Sequence, residues 1–345
     1  MPSTKRDFHN VSNLILGCGT FNHQYNDNPS DVPVKQLLES AMQSGVNTID
    51  TSPYYGPSEM LIGQALSHMT WKRSELTICT KVGRVKEEEF DYTTEGVRAS
   101  VMRSLERLLG GSFSEQDRES WYLDIVYLHD VEFRTVEECF TALRELRALQ
   151  NEGYIRHVGI SGYPLDYLYK LALLCVQEKG IGALDCMLSY CNLNLQNVHL
   201  LEYYDRLKSE CKIKQIANAS VLSMSLLRAQ ETRYFHPASP ELQNSVQLAA
   251  TYCKTHGVDL ADLAVKYALV QWNLRGPTVI GFSNMTEFQH AYKIYTKLSQ
   301  DGYKLTAPEQ QLVAHIQQEI LGKHLNEKWP SGIAHPELNQ VQIQS

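Results

Sequence analysis

Three polar residues stand where short apolar runs end. Asp50 closes Asn47-Thr48-Ile49-Asp50, Lys81 closes the run from Leu76, and His129 lies near the end of Asp124–Asp130. A fourth, Tyr55, follows Asp50 through Ser52-Pro53-Tyr54-Tyr55-Gly56-Pro57, where prolines and a glycine exclude a helix interior. A lysine at the end of an Ile-Cys-Thr run is costly to bury unless paired, and Asp50 is the carboxylate at hand. A free tyrosine ionises near pH ~10. A neighbouring ammonium favours the phenolate, so Lys81 is expected to lower the value for Tyr55. The set then reads as a proton shuttle acting on a carbonyl or alcohol oxygen. Tyr55 is the general acid/base, Lys81 tunes it, Asp50 holds Lys81 charged and aimed, and a neutral His129 orients the oxygen. Taken singly, each residue has a plainer role in a turn, a rim charge or packing. Their shared position at one end of successive strands carries the functional reading.

Other chemistries are poorly supplied. Gly159-Ile160-Ser161-Gly162-Tyr163 is not a G-x-S-x-G nucleophile elbow, because position 163 is tyrosine. No His, Cys or carboxylate cluster has metal-ligand spacing, so no metal is expected. A proton shuttle alone does little to an alcohol, and the chain carries no redox group of its own. A nicotinamide is the economical electron acceptor.

The elements that must position these groups alternate. Eight apolar runs read as strands: Asn13–Gly17, Asn47–Asp50, Leu76–Lys81, Asp124–Asp130, His157–Ser161, Cys186–Tyr190, Lys214–Ser220 and Pro277–Phe282. Amphipathic stretches lie between them, such as Val34/Leu37/Leu38/Ala41, Val97/Val101/Leu105/Leu108 and Phe140/Leu143/Leu146/Leu149. Asp31 with Pro33 is expected to open the first helix, Thr135-x-x-Glu138 reads as a capping box, and Asp259 opens a later helix. Gly17-Cys18-Gly19-Thr20-Phe21-Asn22 lacks the third glycine of a dinucleotide fingerprint, which counts against an open doubly wound sheet. The expected fold is α/β, a (β/α)8 TIM barrel with its active site on the βα loops.

The bulk properties agree with one barrel domain of 345 residues, with a core over about 11–321 and a C-terminal tail over 322–345. Hydrophobic residues make up 43%, enough for a large core, and the net charge is −7 without a basic arm. A nucleic-acid partner is therefore not expected. No apolar run approaches a membrane span. The eight cysteines form no CxxC pair, which suits buried thiols in a reducing compartment, here the cytoplasm.

In order and placement, Asp50, Tyr55, Lys81 and His129 resemble the catalytic tetrad of the aldo-keto reductase family. The segments DTSPYYGPSE, CTKVGR, VYLHDVEF, GISGYP, LSYCNLNLQN and NASVLSMSLLRAQETR resemble, within it, NAD-dependent aldose 1-dehydrogenases. The resemblance implies a barrel with the dinucleotide across the strand C-terminal ends. It implies oxidation of D-arabinose and similar aldoses at C1 to the aldonolactone, a step towards D-erythroascorbate. It also leaves two alternatives, an NADPH-dependent aldehyde or ketone reductase and a non-catalytic, cofactor-sensing regulatory subunit. By position, Ser161 and Gly162 resemble the pair that holds the carboxamide, which is Ser-Asn elsewhere. Ser189 stands where glutamine is common. Thr20 is expected beside the cofactor, and Ser220, Val221, Leu222, Ser223 and Met224 resemble the segment that wraps the pyrophosphate. Gly281, Ser283 and Glu287 match the adenosine-end motif. Relatives that prefer NADP place arginine at the position of Glu287. A carboxylate repels a 2′-phosphate and can accept from a ribose hydroxyl, so NAD is the expected cofactor. The small-molecule aldose is expected to meet His129 and Tyr54, in a monomer or simple homo-oligomer. The loop Arg228–Pro240 is a candidate lid.

Overall fold

A computed structural model describes residues 8–110 and 119–340. Eight parallel strands close into a barrel in sequence order: β1 (Leu14–Gly17), β2 (Thr48–Asp50), β3 (Thr77–Val82), β4 (Leu123–His129), β5 (Ile155–Gly162), β6 (Cys186–Tyr190), β7 (Gln215–Ala219) and β8 (Thr278–Gly281). Each lies on an expected run. β1 pairs with both β2 and β8, which removes every sheet edge.

The two-residue side-chain period explains where the chemistry collects. Ile15, Cys79, Ile125, Tyr127, Cys186, Leu188, Ala217, Ala219 and Val279 fill the barrel interior. The next inward positions along the same strands are Gly17, Lys81, His129, Tyr190 and Gly281. The register pairs Asp50 with Cys79, Lys81 with Tyr127, and His129 with Ser161. The inward row is thus apolar in the middle and polar at the C-terminal end.

The surrounding helices are α1 (Val34–Gln43), α2 (Ser58–Ser67), α3 (Thr94–Leu109), α4 (Val136–Glu152), α5 (Leu165–Gln177), α6 (His199–Ser209), α7 (Pro240–Thr255), α8 (Leu260–Trp272), α9 (Met285–Gln300) and α10 (Ala307–His315). The apolar faces of α1–α6 and α9, with part of α8, pack on the outward residues of the strands in one large core, while α7, α10 and the rest of α8 form a second cluster with Leu321 and Trp329. The capping box forms as expected, with Glu138 N donating to Thr135 Oγ1 and Thr135 N donating to Glu138 Oε2. Asp259 caps α8, accepting from Ala261 N at 2.7 Å. Asp31 differs from expectation. It ends a separate 3-10 turn at Pro29–Asp31, capped by Asn28, and α1 starts after Pro33 without a side-chain cap.

All eight cysteines are buried and unbridged. No helix among the described residues is long and apolar enough to cross a membrane. The segment after Leu321 lies across the barrel's C-terminal end. Trp329 stacks on Tyr163 at 4.8 Å, and Ile333 N and His335 Nε2 both donate to the carbonyl of Glu132. Residues 341–345 of the expected tail lie outside the described residues.

Candidate active site

At the C-terminal end of the barrel a cleft of about 620 Å³ runs from the β2–β4 strand ends to α8 and α9. Asp50, Lys81 and His129 reach it from β2, β3 and β4. Tyr55 reaches it from the β2–α2 loop. That loop is tightly folded: Tyr55 N donates to Ser52 O at 3.0 Å, and Gly56 takes the left-handed φ of 57° that lets α2 begin at once.

Lys81 Nζ donates to Asp50 Oδ1 at 2.6 Å and to Thr51 O at 2.9 Å, and it lies 4.7 Å from the centroid of the Tyr55 ring. Both members of the ion pair are almost wholly buried. Burial works against the Lys81 charge, but Asp50 and the Tyr55 oxygen outweigh it and push its pKa up. Asp50 Oδ2 is buried without a partner among the described residues. The His129 ring meets that of Tyr55 edge-on at 5.9 Å and that of Tyr54 at 5.7 Å. Burial pulls His129 down to about 3, so its imidazole is neutral throughout the physiological range, as expected.

Tyr55 departs from expectation. Its phenol is pushed up to about 12, because the desolvating walls of the cleft outweigh the pull of Lys81, and Asp50 adds to the rise. In the free protein Tyr55 is a protonated phenol. In that state its hydroxyl can donate a hydrogen bond, and further positive charge beside it would favour the phenolate.

Two residues that the sequence reading did not single out complete the wall beside His129. Asp130 adopts a left-handed φ of 54°, which turns its carboxylate into the cleft. Arg84 Nη1 bonds Asp130 Oδ2 at 2.6 Å, and its guanidinium lies over the rings of Tyr54, Phe90 and Phe133 at 4.4, 5.3 and 5.1 Å. Arg84 follows Lys81 by three residues and Asp130 adjoins His129, so proximity in sequence to the strand ends was the available signal. Asn22 also lines the cleft, whereas His23 lies on an exposed turn outside it.

The residues expected at a dinucleotide divide in two. Thr20, Ser161, Ser220, Val221, Leu222, Met224, Gly281, Ser283 and Glu287 line the cleft. Gly162, Ser189 and Ser223 do not. Gly162 and Ser189 each follow an inward residue of their strand, so the pleat turns them outward. Ser189 Oγ accepts from Asn192 Nδ2 at 2.9 Å. A Cβ on Gly162 would stand 2.4 Å from Glu132 Oε2, so the Glu132 carboxyl takes the space beside it. Ser223 is fully buried and its hydroxyl has no partner among the described residues.

The segment after β7 is shaped to receive an anion. Ser220, Ser223, Met224 and Ser225 all have positive φ. Met224 N donates to Ser220 Oγ, while the amides of Val221, Leu222 and Ser225 have no acceptor among the described residues. Successive amides in such a chain form a concavity that suits a phosphate. At the far end, Glu287 Oε2 accepts from Ser283 N at 2.8 Å, so its carboxylate holds the turn before α9 and faces the cleft. The loop before α7 bridges the mouth: Arg233 donates to the carbonyls of Gln24 and Tyr25, and Phe235 packs on Tyr25 at 5.7 Å.

A parallel barrel thus carries an Asp–Lys–Tyr–His cluster at its strand ends, groups suited to move a proton at an oxygen bound in the cleft. Residues 13–306 match the model of the aldo/keto reductase family, and the chain belongs to that family. Its members work with a nicotinamide cofactor, and the anion-receiving segment fits one. The chain is 49% identical to D-arabinose 1-dehydrogenase of Saccharomyces cerevisiae, over 96% of this chain and 97% of that protein. It is 34% identical to L-galactose dehydrogenase of Arabidopsis thaliana, over 86% of each. An aldo-keto reductase of Bacillus halodurans in its holo form superposes with a TM-score of 0.65 over 92% of this chain and 96% of that one. At 18% identity it speaks to the fold alone.

Proposed function

We propose that this protein is an NAD-dependent dehydrogenase that oxidises C1 of a cyclic aldose, D-arabinose and similar sugars, to the aldonolactone. The observation that carries this reading is the buried Lys81–Asp50 pair beside Tyr55, with neutral His129 across from it. A bound oxidised nicotinamide would supply the acceptor for the C1 hydride and a positive charge that favours the Tyr55 phenolate. Tyr55 takes the proton of the anomeric hydroxyl. Lys81 stabilises the phenolate, Asp50 holds Lys81 in place, and His129 orients the oxygen. Arg84 and Asp130 offer donors and acceptors for the other sugar hydroxyls, beside Tyr54. The amides of Val221, Leu222 and Ser225 would receive the pyrophosphate, with Thr20, Ser161, Gly281 and Ser283 along the same path. Glu287 supports NAD over NADP by repelling a 2′-phosphate. The partner is a small molecule, and the protein works as a monomer or simple homo-oligomer.

One observation favours the reverse direction: in the free protein Tyr55 is protonated, the state that reduction of a carbonyl needs. Nicotinamide absorbance distinguishes the readings. With D-arabinose, rapid reduction of NAD and slow reduction of NADP is the expected result. Turnover only with NADPH and carbonyl compounds would replace the oxidative reading with the reductive one. Tight cofactor binding without turnover, after a wider sugar screen, would point to a regulatory subunit.

A further inference from the structure

Ser52 lies behind the site, wholly buried, with its Oγ 3.2 Å from His129 Nδ1. The amide of Tyr54 donates to the same oxygen at 3.1 Å. On its other edge, His129 Nε2 lies 3.6 Å from Asp130 Oδ1, and Asp130 is paired with Arg84. The neutral imidazole carries one proton, and these contacts decide where it sits.

Placed on Nδ1, the proton would have to be donated to Ser52. The Ser52 oxygen would then accept twice, and its own hydrogen would have no acceptor among the described residues in a place closed to water. A buried donor without a partner is unfavourable, because it gives up its bond to water and gains none. The Nε2 lone pair would also face the Asp130 carboxylate. Placed on Nε2, the proton removes both conflicts. Ser52 accepts from Tyr54 and donates to Nδ1, and the Nε2–H lies on the side of the anion. At 3.6 Å that contact is too long for a settled hydrogen bond, which leaves the Nε2–H free to donate to a ligand.

We infer that Ser52 is a positioning residue that fixes His129 as its Nε2–H tautomer, making His129 a hydrogen-bond donor to the substrate oxygen and not an acceptor. The substrate half of this statement rests on the function proposed above; the tautomer half does not. It leaves Tyr55 as the one proton acceptor for the anomeric hydroxyl. The reacting oxygen is held from both sides: it gives its proton to Tyr55 and receives a hydrogen bond from His129.

The test reads the tautomer directly. Long-range 15N–1H correlation spectra of the 15N-histidine-labelled protein are recorded at neutral pH, with the His129 signals assigned by their loss in His129→Gln. The expected pattern has an unprotonated Nδ1 and a protonated Nε2. A protonated Nδ1 would overturn the inference, whatever the enzyme's activity. Ser52→Ala is expected to shift His129 toward a tautomer mixture and to lower kcat on the order of tenfold, with KM for the cofactor unchanged. Ser52→Thr keeps the hydroxyl and is expected to recover most of the rate. Unchanged His129 signals and kinetics in folded Ser52→Ala would also overturn it. If the parent turned over no aldose but showed the Nε2–H pattern, the proposed function would fall and the Ser52 assignment would stand.

Discussion

Lys81 Nζ lies 2.6 Å from Asp50 Oδ1 across the β2–β3 pair, and both side chains are shut off from water. Removing one partner leaves a buried uncompensated charge, which costs about 3–5 kcal/mol; removing both does not. Lys81→Met is therefore expected to lower thermal stability strongly, and the double variant Lys81→Met/Asp50→Asn to be more stable than Lys81→Met. Both should lose turnover. Melting curves of the parent, the single variants Lys81→Met and Asp50→Asn, and the double variant check the coupling. Additive losses would remove the ion pair from the account.

The pH profile follows from Tyr55 and His129. The Tyr55 phenol is raised to about 12, so oxidation, which needs the phenolate, should speed up steadily as pH rises from 7 towards 10. His129 is lowered to about 3, so no inflection belongs near the usual histidine value. Initial rates of NAD reduction across this range test both points. A bell centred near pH 6.5 would mean that a protonated imidazole takes part.

Glu132 links the site to the C-terminal segment. Its Oε1 accepts from Tyr163 N and Ser331 Oγ, while Oε2 is buried without a partner among the described residues. Burial, with the charge of Asp130, pushes this carboxyl up to about 8. A folded pKa above the unfolded one gives stability that is complete below about pH 4.5 and lost as pH rises through about 8. Glu132→Gln mimics the protonated form. Its melting temperature should match the parent's at pH 5 and exceed it progressively towards pH 8. A constant difference across that range would show that Glu132 is ionised in the fold.

Glu287 faces the cleft while accepting from Ser283 N in the turn before α9. Glu287→Gln keeps an acceptor for Ser283 N and loses the charge. It should be stable and only weakly relaxed in cofactor choice. Glu287→Arg offers a 2′-phosphate a partner and should shift kcat/KM towards NADP by about tenfold or more relative to NAD. No shift in Glu287→Arg would place the 2′ position of the ribose elsewhere.

Much of the barrel could be read from the chain because parallel strands covered on both sides are short continuous apolar runs, and eight of them alternate with amphipathic stretches. Asp50, Lys81 and His129 were legible for a related reason: a charged or polar group ending such a run is costly to bury, so it needs a partner or a task. What escaped depends on quantities that residue types do not carry. The sign of the Tyr55 shift required the balance between the walls of the cleft and a single ammonium. Asp130 enters the cleft through a left-handed backbone turn, and Arg84 reaches it by lying across three aromatic rings. Ser189 and Gly162 were expected at the cofactor by position along the chain, but strand parity turns them outward. Ser52 looked like part of a turn until its hydroxyl was found against the His129 ring.

The most direct test of the central claim is Tyr55→Phe, assayed with D-arabinose and NAD beside a fluorescence titration of cofactor binding. Cofactor affinity is predicted to stay within a few fold of the parent while kcat falls by about a hundredfold or more. Turnover within a few fold of the parent would contradict the role of Tyr55, and the proton would have to leave the sugar by a route that does not pass through it.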